Sequence, residues 1–250
     1  AVLLVLLGGV NIEKITNPLG GFIYLDGIRW SLFSWQEWSL DLSLFSDLFI
    51  LVWLLGMMYT TKLLDGVDGL VTGVSAIGGL MIFLFTMTTA YYQPDIGLAA
   101  LVLTGACAGF LVFNWHPAKI FLGEGGSVFL GYALGVLAII SGGKIAIALL
   151  VMGVPILDVA WTIVRRLKMG KNPFLFADRK HLHFRFLDMG WGQRKTVWLY
   201  YALAFTFGAS GLFLQTRGKI YILIILLILM LAAVVSLSRK ENRKTYEIQK

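Results

Sequence analysis

The stretch Asp65-Gly66-Val67-Asp68-Gly69-Leu70 sets two carboxylates three residues apart between glycines, with Lys62 just ahead of them. It falls where one long apolar run ends and another begins. A charge at the lip of a membrane helix is costly and persists mainly where it has a task. Glycines at 66 and 69 suit a helix end with little side-chain bulk, leaving carboxylates and backbone open to a ligand. The plain alternative is a polar turn between two spans, and this stretch alone does not separate the readings.

A second polar stretch runs Asn114-Trp115-His116-Pro117-Ala118-Lys119-Ile120-Phe121-Leu122-Gly123-Glu124-Gly125-Gly126-Ser127. A carboxylate among glycines, with serine opening a helix, suits a hard cation beside phosphate. Mg²⁺ takes one or two carboxylates, keeps waters and accepts phosphate oxygens for the rest. The N–H groups of a helix starting near Ser127 can meet an anion as well. A glycine-rich turn with Ser127 as N-cap is the simpler alternative.

The third stretch, 165–196, sets Arg165, Arg166, Lys168, Lys171, Arg179, Lys180, Arg185, Arg194 and Lys195 against Asp178 and Asp188. Anionic lipid headgroups would satisfy such a loop. His181 and His183 beside Arg185 point instead to a diphosphate. Without HExxH or a cysteine partner, the two histidines do not make a zinc site. Asp158 lies about two turns inside the same end of the sixth apolar run. An intramembrane carboxylate is a functional candidate by default, and pairing with a basic residue of the bundle is the preferred role here.

Those stretches must be positioned by membrane helices. Of 250 residues, 58% are hydrophobic and 14% charged, and the mean hydropathy is +0.80. Soluble domains are nearer half apolar and a quarter charged, so this chain is built for a lipid bilayer. The net charge of +7 therefore reads as membrane topology, with no nucleic-acid partner expected. Cys107 is the single cysteine, which excludes an intrachain disulfide.

Apolar runs at about 49–64, 71–90, 97–114, 127–142, 144–164, 197–215 and 219–238 follow an apolar start at 1–7. With neither Met nor a basic region before it, that start predicts a fragment beginning inside a transmembrane helix. The fold class expected is all-α: a polytopic membrane helix bundle with about eight spans, the first partial. Between the first two spans, Asn17-Pro18-Leu19-Gly20-Gly21 and a short strand over 22–25 predict a small extracytoplasmic hairpin. Trp30, Trp35 and Trp38 fit either a membrane interface or packing within that loop. Pro155 is expected to kink the sixth run. Alternating spans put Asp65, the 115–126 loop, 165–196 and the tail on one side, which holds most of the 21 Lys and Arg. The bias of basic residues makes that side cytoplasmic.

The order of these three motifs, with Pro173-Phe174, Ala177-Asp178 and His181-Leu182-His183-Phe184-Arg185 in the third, resembles the polyprenyl-phosphate N-acetylhexosamine-1-phosphate transferases (glycosyltransferase family 4). The likeness covers essentially the whole chain, and Gly9-Val10-Asn11-Ile12-Glu13-Lys14-Ile15-Thr16-Asn17-Pro18 looks more like the N-acetylglucosamine branch than the lipid I synthase. The resemblance implies a bacterial plasma-membrane enzyme, with a transmembrane catalytic domain over 1–238 and a basic cytoplasmic tail over 239–250. It implies transfer of a sugar-1-phosphate, GlcNAc-1-phosphate by its branch, from a UDP-amino sugar to undecaprenyl phosphate, with release of UMP. Mg²⁺, or Mn²⁺ in its place, is the implied cofactor, held by Glu124. Asp65 and Asp68 would place the nucleotide or its phosphates, and Asn114 and Phe121 would meet the nucleotide. Lys62 and Ser127 would bind substrate, while His181, His183 and Arg185 would grip the diphosphate from a loop above.

Departures from that pattern qualify the likeness. The family usually has Asp where Glu124 stands, Asn at the positions of Tyr59 and Lys62, and a third histidine at Phe184. Its paired-aspartate motif is absent, and its usual place lies upstream of Ala1. A relative without catalysis, serving as membrane scaffold or lipid-phosphate binder, is the alternative these departures raise. A transporter fits less well, because the polar motifs gather on one face whereas transport sites sit near the midplane. Neither the sugar nor the oligomeric state, a homodimer included, is set by the sequence.

Overall fold

The structure is a computed structural model that describes residues 5, 12–16, 21–25, 27, 29–35, 38–88, 92–142, 145–172, 181–214 and 216–248. Two antiparallel hairpins come first: β1 (Lys14–Thr16) with β2 (Phe22–Tyr24), and β3 (Arg29–Trp35) with β4 (Trp38–Ser43). They agree with the small hairpin expected before the second span, and the second places Trp35 opposite Trp38. The Ile12 N–H donates to the Ser46 hydroxyl at 2.8 Å, tying the first hairpin to the helices.

The helices are α1 (Leu44–Leu64), α2 (Leu70–Thr86), α3 (Pro94–Asn114), α4 (Gly123–Ile140), α5 (Ile145–Val151), α6 (Gly153–Lys168), α7 (Leu182–Asp188), α8 (Gln193–Phe213) and α9 (Thr216–Ile248). The last continues as helix through most of the segment read as a tail. Among the described residues, four helices are long and apolar enough to cross a membrane, or five if a bent pair is one span. The chain is a multi-pass membrane helix bundle, but the eight expected spans are not all found among those residues.

Packing explains why some spans look short. Helix α2, of 17 residues, lies at the centre against α3, α4, α5 and α8. Burial on most sides removes its need for a lipid-facing stripe. On α1, by contrast, Leu48, Val52 and Leu55 are exposed, as are Leu98, Val102 and Val112 on α3. Outward apolar faces of this kind belong to hydrocarbon. Helices α1 and α4 meet at Gly131 and Gly135. A Cβ on Gly131 would stand 2.6 Å from the Met57 carbonyl oxygen, and the Trp53 indole N–H donates to the Gly135 carbonyl at 3.1 Å. Small residues let membrane helices approach this closely, where backbone contact replaces a hydrophobic driving force.

The run expected over 144–164 is not one straight span. It breaks at Met152, where α5 and α6 meet at 79°. Pro155 sits in the first turn of α6, where its missing N–H costs no helix bond. The break therefore precedes the proline rather than centring on it.

Candidate active site

Helix α1 ends at Leu64, and the Gly66 N–H turns back to the Leu64 carbonyl at 2.8 Å. Gly69 opens α2 with φ of 77°, and a Cβ there would meet Leu111 Cδ1 at 3.2 Å. Left-handed backbone and close packing both require glycine at this position. Two helices brace the turn. Asn114 at the end of α3 accepts from the Gly69 N–H (3.1 Å) and the Thr72 hydroxyl (2.9 Å) and donates to the Ile120 carbonyl (2.9 Å). From α8, the Tyr201 hydroxyl donates to the Gly69 carbonyl at 2.5 Å. Asn114 is buried by this bracing, so the nucleotide contact expected of it is not needed to explain its place.

Asp68 also organises its surroundings. Its Oδ2 accepts from His116 Nδ1 at 2.8 Å and from the Ala118 N–H at 3.2 Å. Arg194 of α8 donates from Nε to the His116 carbonyl at 2.9 Å, closing the loop over the helix ends. Trp115 of that loop packs edge-on against Trp198 of α8, with ring centroids 5.7 Å apart.

Asp65 has a different environment. Burial pushes its carboxyl up from 3.8 to about 6, while a hydrogen bond with Ser127 pulls the other way. Ser127 is itself buried and donates to the Glu124 carbonyl at 3.1 Å, so Asp65 lies against the first turn of α4. Glu124, on that turn, is exposed and receives Lys62 Nζ on Oε1 at 2.5 Å. Phe121, just before the helix, is 75% exposed.

These donors suit a divalent cation. A part-buried carboxyl with a raised pKa gains from a nearby positive charge, and Asp65 meets Ser127, whose hydroxyl donates to the Glu124 carbonyl in the first turn of α4. Among the described residues no group of three or more His, Cys, Asp or Glu gathers around one point. Mg²⁺ does not require one, since waters and substrate phosphate oxygens complete its shell. Asp65 and Glu124 are the residues that would hold it.

The third motif differs from its expected form. Residues 182–188 are a helix rather than a loop above the site, and its members are inside: His181 is 3% exposed, His183 1% and Arg185 6%. His181 donates from Nδ1 to Asp158 Oδ2 at 2.9 Å, and the Leu182 N–H reaches Asp158 Oδ1 at 3.0 Å. The intramembrane carboxylate is thus paired, with an imidazole. Burial lowers the His183 pKa to about 4, the Asp158 charge opposing the shift and His181 adding to it. His183 is therefore held in its neutral form, and neither ring nitrogen has a hydrogen-bond partner among the described residues. It faces the first motif: a Cβ on Gly66 would stand 3.2 Å from His183 Nε2 and 2.5 Å from Phe184 Cζ. Pro173, Phe174, Ala177, Asp178, Arg179 and Lys180 lie outside the described residues.

An apolar groove of about 720 Å³ runs between α1 and the bent pair, lined by Val52, Gly56, Thr60, Leu149, Ile156 and Val159 among others. Thr60 and Val159 also border the narrow gap that Asp158, His181 and His183 line. The groove therefore ends at the polar cluster.

Residues 1–142 match the model of "Glycosyl transferase family 4". This chain belongs to that family. A similar protein is the "Probable undecaprenyl-phosphate N-acetylglucosaminyl 1-phosphate transferase" of Bacillus subtilis, 34% identical over 188 residues, covering 72% of this chain and 52% of that protein. The "Decaprenyl-phosphate N-acetylglucosaminephosphotransferase" of Mycolicibacterium smegmatis is 34% identical over 182 residues, 62% of this chain and 44% of its own. A "Phospho-N-acetylmuramoyl-pentapeptide-transferase" of Moorella thermoacetica is 32% identical over 179 residues, 72% of this chain and 55% of its own. The chain spans about half the length of the curated relatives it matches.

For this family 4 chain, sequence reasoning named Asp65, Glu124 and Ser127, which the fold brings together. It did not single out His116, Trp115 or Arg194, which hold the second motif in place. His116 stood inside that motif, but only tertiary contact with Asp68 gives it a role. Nothing in the sequence links Arg194, at the end of the third stretch, to the second.

Proposed function

We propose that this chain forms the membrane domain of an enzyme that transfers a sugar-1-phosphate from a UDP-sugar to a polyprenyl phosphate, releasing UMP. The observation that carries this reading is an apolar groove open along the bundle and ending at a cluster of one carboxylate, a hydroxyl and two imidazoles, those of Asp158, Thr60, His181 and His183. An isoprenoid chain suits the groove, and its phosphate would then lie at the polar end. The printed names of the relatives, acting on undecaprenyl and decaprenyl phosphate with N-acetylglucosamine, favour GlcNAc-1-phosphate and undecaprenyl phosphate here. The basic residues of the connecting loops favour a cytoplasmic face for the site.

Phosphoryl transfer depends on placing two phosphates in line and neutralising their charge. A Mg²⁺ ion bound by Asp65 and Glu124 would supply that neutralisation at the diphosphate of the sugar nucleotide. The protein does the rest. Gly66 and Gly69 keep the turn thin enough for α7 and α3 to pack against it, which fixes the backbone that carries Asp65 and Asp68. Asp68 and Asn114 fix the 115–122 loop, on which exposed Phe121 offers a face for uracil. Arg185 adds positive charge from α7.

The Lys62–Glu124 contact favours a second reading, in which an internal ammonium neutralises the cation ligand and the protein binds lipid phosphate without turnover. One assay separates the two. The full-length protein is reconstituted with undecaprenyl phosphate and UDP-N-acetylglucosamine, and UMP release is followed with Mg²⁺ and with EDTA. Mg²⁺-dependent release is expected. Lipid-phosphate binding without release from any UDP-amino sugar would instead establish the binder.

A further inference from the structure

We propose that Asp158 is a positioning residue that acts through His181, an inference that rests on the transferase reading above. The two side chains are almost fully buried, at 4% and 3% exposure, one on α6 and the other at the start of α7. Asp158 Oδ2 accepts the Nδ1–H of His181 at 2.9 Å, which fixes the ring as the Nδ1-protonated tautomer when neutral. The other oxygen accepts the Leu182 N–H at 3.0 Å, so the carboxylate cannot rotate without breaking a second bond. His181 Nε2 is buried and has no hydrogen-bond partner among the described residues. A buried imidazole nitrogen left open this way lacks a partner that its surroundings should supply.

The partner follows from location. Asp158, His181 and His183 line a narrow gap with Leu63 and Leu64, the residues just before Asp65. Thr60 and Val159 connect that gap to the apolar groove. His181 therefore borders the polar end of the groove, and the proposal requires the head phosphate of a lipid lying in that groove to reach Nε2. A phosphate monoanion carries one O–H. Transfer of that proton to Nε2 breaks the O–H bond, leaves the electron pair on the phosphate oxygen and forms an imidazolium balanced by Asp158. The freed oxygen attacks the β-phosphorus of the UDP-sugar, the bond from β-phosphorus to the bridging oxygen breaks, and the proton passes from Nε2 to the departing UMP. Asp158 touches no reacting atom. It sets which nitrogen is open and stabilises the charge the ring acquires.

Asp158→Asn tests this in the full-length protein in nanodiscs. Its amide can still accept the Leu182 N–H but offers the ring an N–H donor, so His181 must present an unprotonated Nδ1 and move its proton to Nε2. In ¹⁵N-histidine-labelled protein the His181 resonances should switch tautomer. The turnover number should fall about 100-fold, with KM for the UDP-sugar unchanged within about two-fold. His181→Gln should cost as much, and the double variant no more than His181→Gln alone. Full kcat in Asp158→Asn, an unchanged tautomer, or a further loss in the double variant would each overturn the proposal. The tautomer is read without turnover. A wild type that releases no UMP therefore removes the transferase reading, while the spectra still decide whether Asp158 sets the ring.

Discussion

Asp65 follows the end of α1 and Glu124 lies in the first turn of α4, and the protein treats them differently. Asp65 is part-buried, and its carboxyl titrates near 6. Because that value lies above the ordinary 3.8, the protonated form is favoured in the folded protein. Its stabilising contribution to the cation-free protein is present below pH 4 and is lost as pH rises through 6. Cation binding has the opposite sign, since it needs the carboxylate. Mn²⁺ affinity, read by EPR, should rise as pH passes upward through about 6, and Asp65→Asn should abolish that limb. Glu124→Gln should lower UMP release by at least about 100-fold, whereas Glu124→Asp should retain it. An active Glu124→Gln enzyme would remove Glu124 from the cation site. Lys62 competes with the cation for the same carboxylate through a solvent-exposed pair, which limits its strength to about 0–1 kcal/mol. Lys62→Met should therefore tighten Mn²⁺ binding by no more than about five-fold. Weaker binding in that variant would mean that Lys62 assists the site rather than competing for it.

Elements meet at this site through missing side chains. Helix α7 lies against the Asp65 turn only because Gly66 has no Cβ, which would stand 2.5 Å from Phe184 Cζ. Gly66→Ala should push α7 away, cost about 1–3 kcal/mol of stability as overpacking does, and lower activity more than expression. A fully active, equally stable Gly66→Ala protein would show that the α7 contact is dispensable. The same dependence holds at α8. Tyr201 and Arg194 hold the first and second motifs from a helix that begins at the end of the third stretch. The motif residues were legible from their glycine and carboxylate spacing, but these supports were not, because tyrosine and arginine on an apolar helix look like any other packing or interface residue.

Across the whole molecule, the bent pair α5–α6 does what a straight span could not. By turning 79° at Met152 it opens an apolar groove against α1 and sets Asp158 at the groove's end. Gly56 lines the groove, and nothing lies within 4 Å of where its Cβ would stand. Gly56→Phe should therefore fill the groove without disturbing the bundle, raising KM for undecaprenyl phosphate about ten-fold while leaving KM for the UDP-sugar unchanged. Equal changes in both would separate the groove from the lipid. Hydropathy alone determined that the chain is a membrane helix bundle, because apolar length is a local property that the bilayer reads directly. The turn chemistry around Asp65 and Glu124 was equally local. What only the tertiary structure decided was which charges meet: Lys62 with Glu124, His116 with Asp68, and His181 with Asp158. Those pairs are separated by tens of residues, and their encounter depends on how helices cross and where one breaks, which no spacing along the chain encodes.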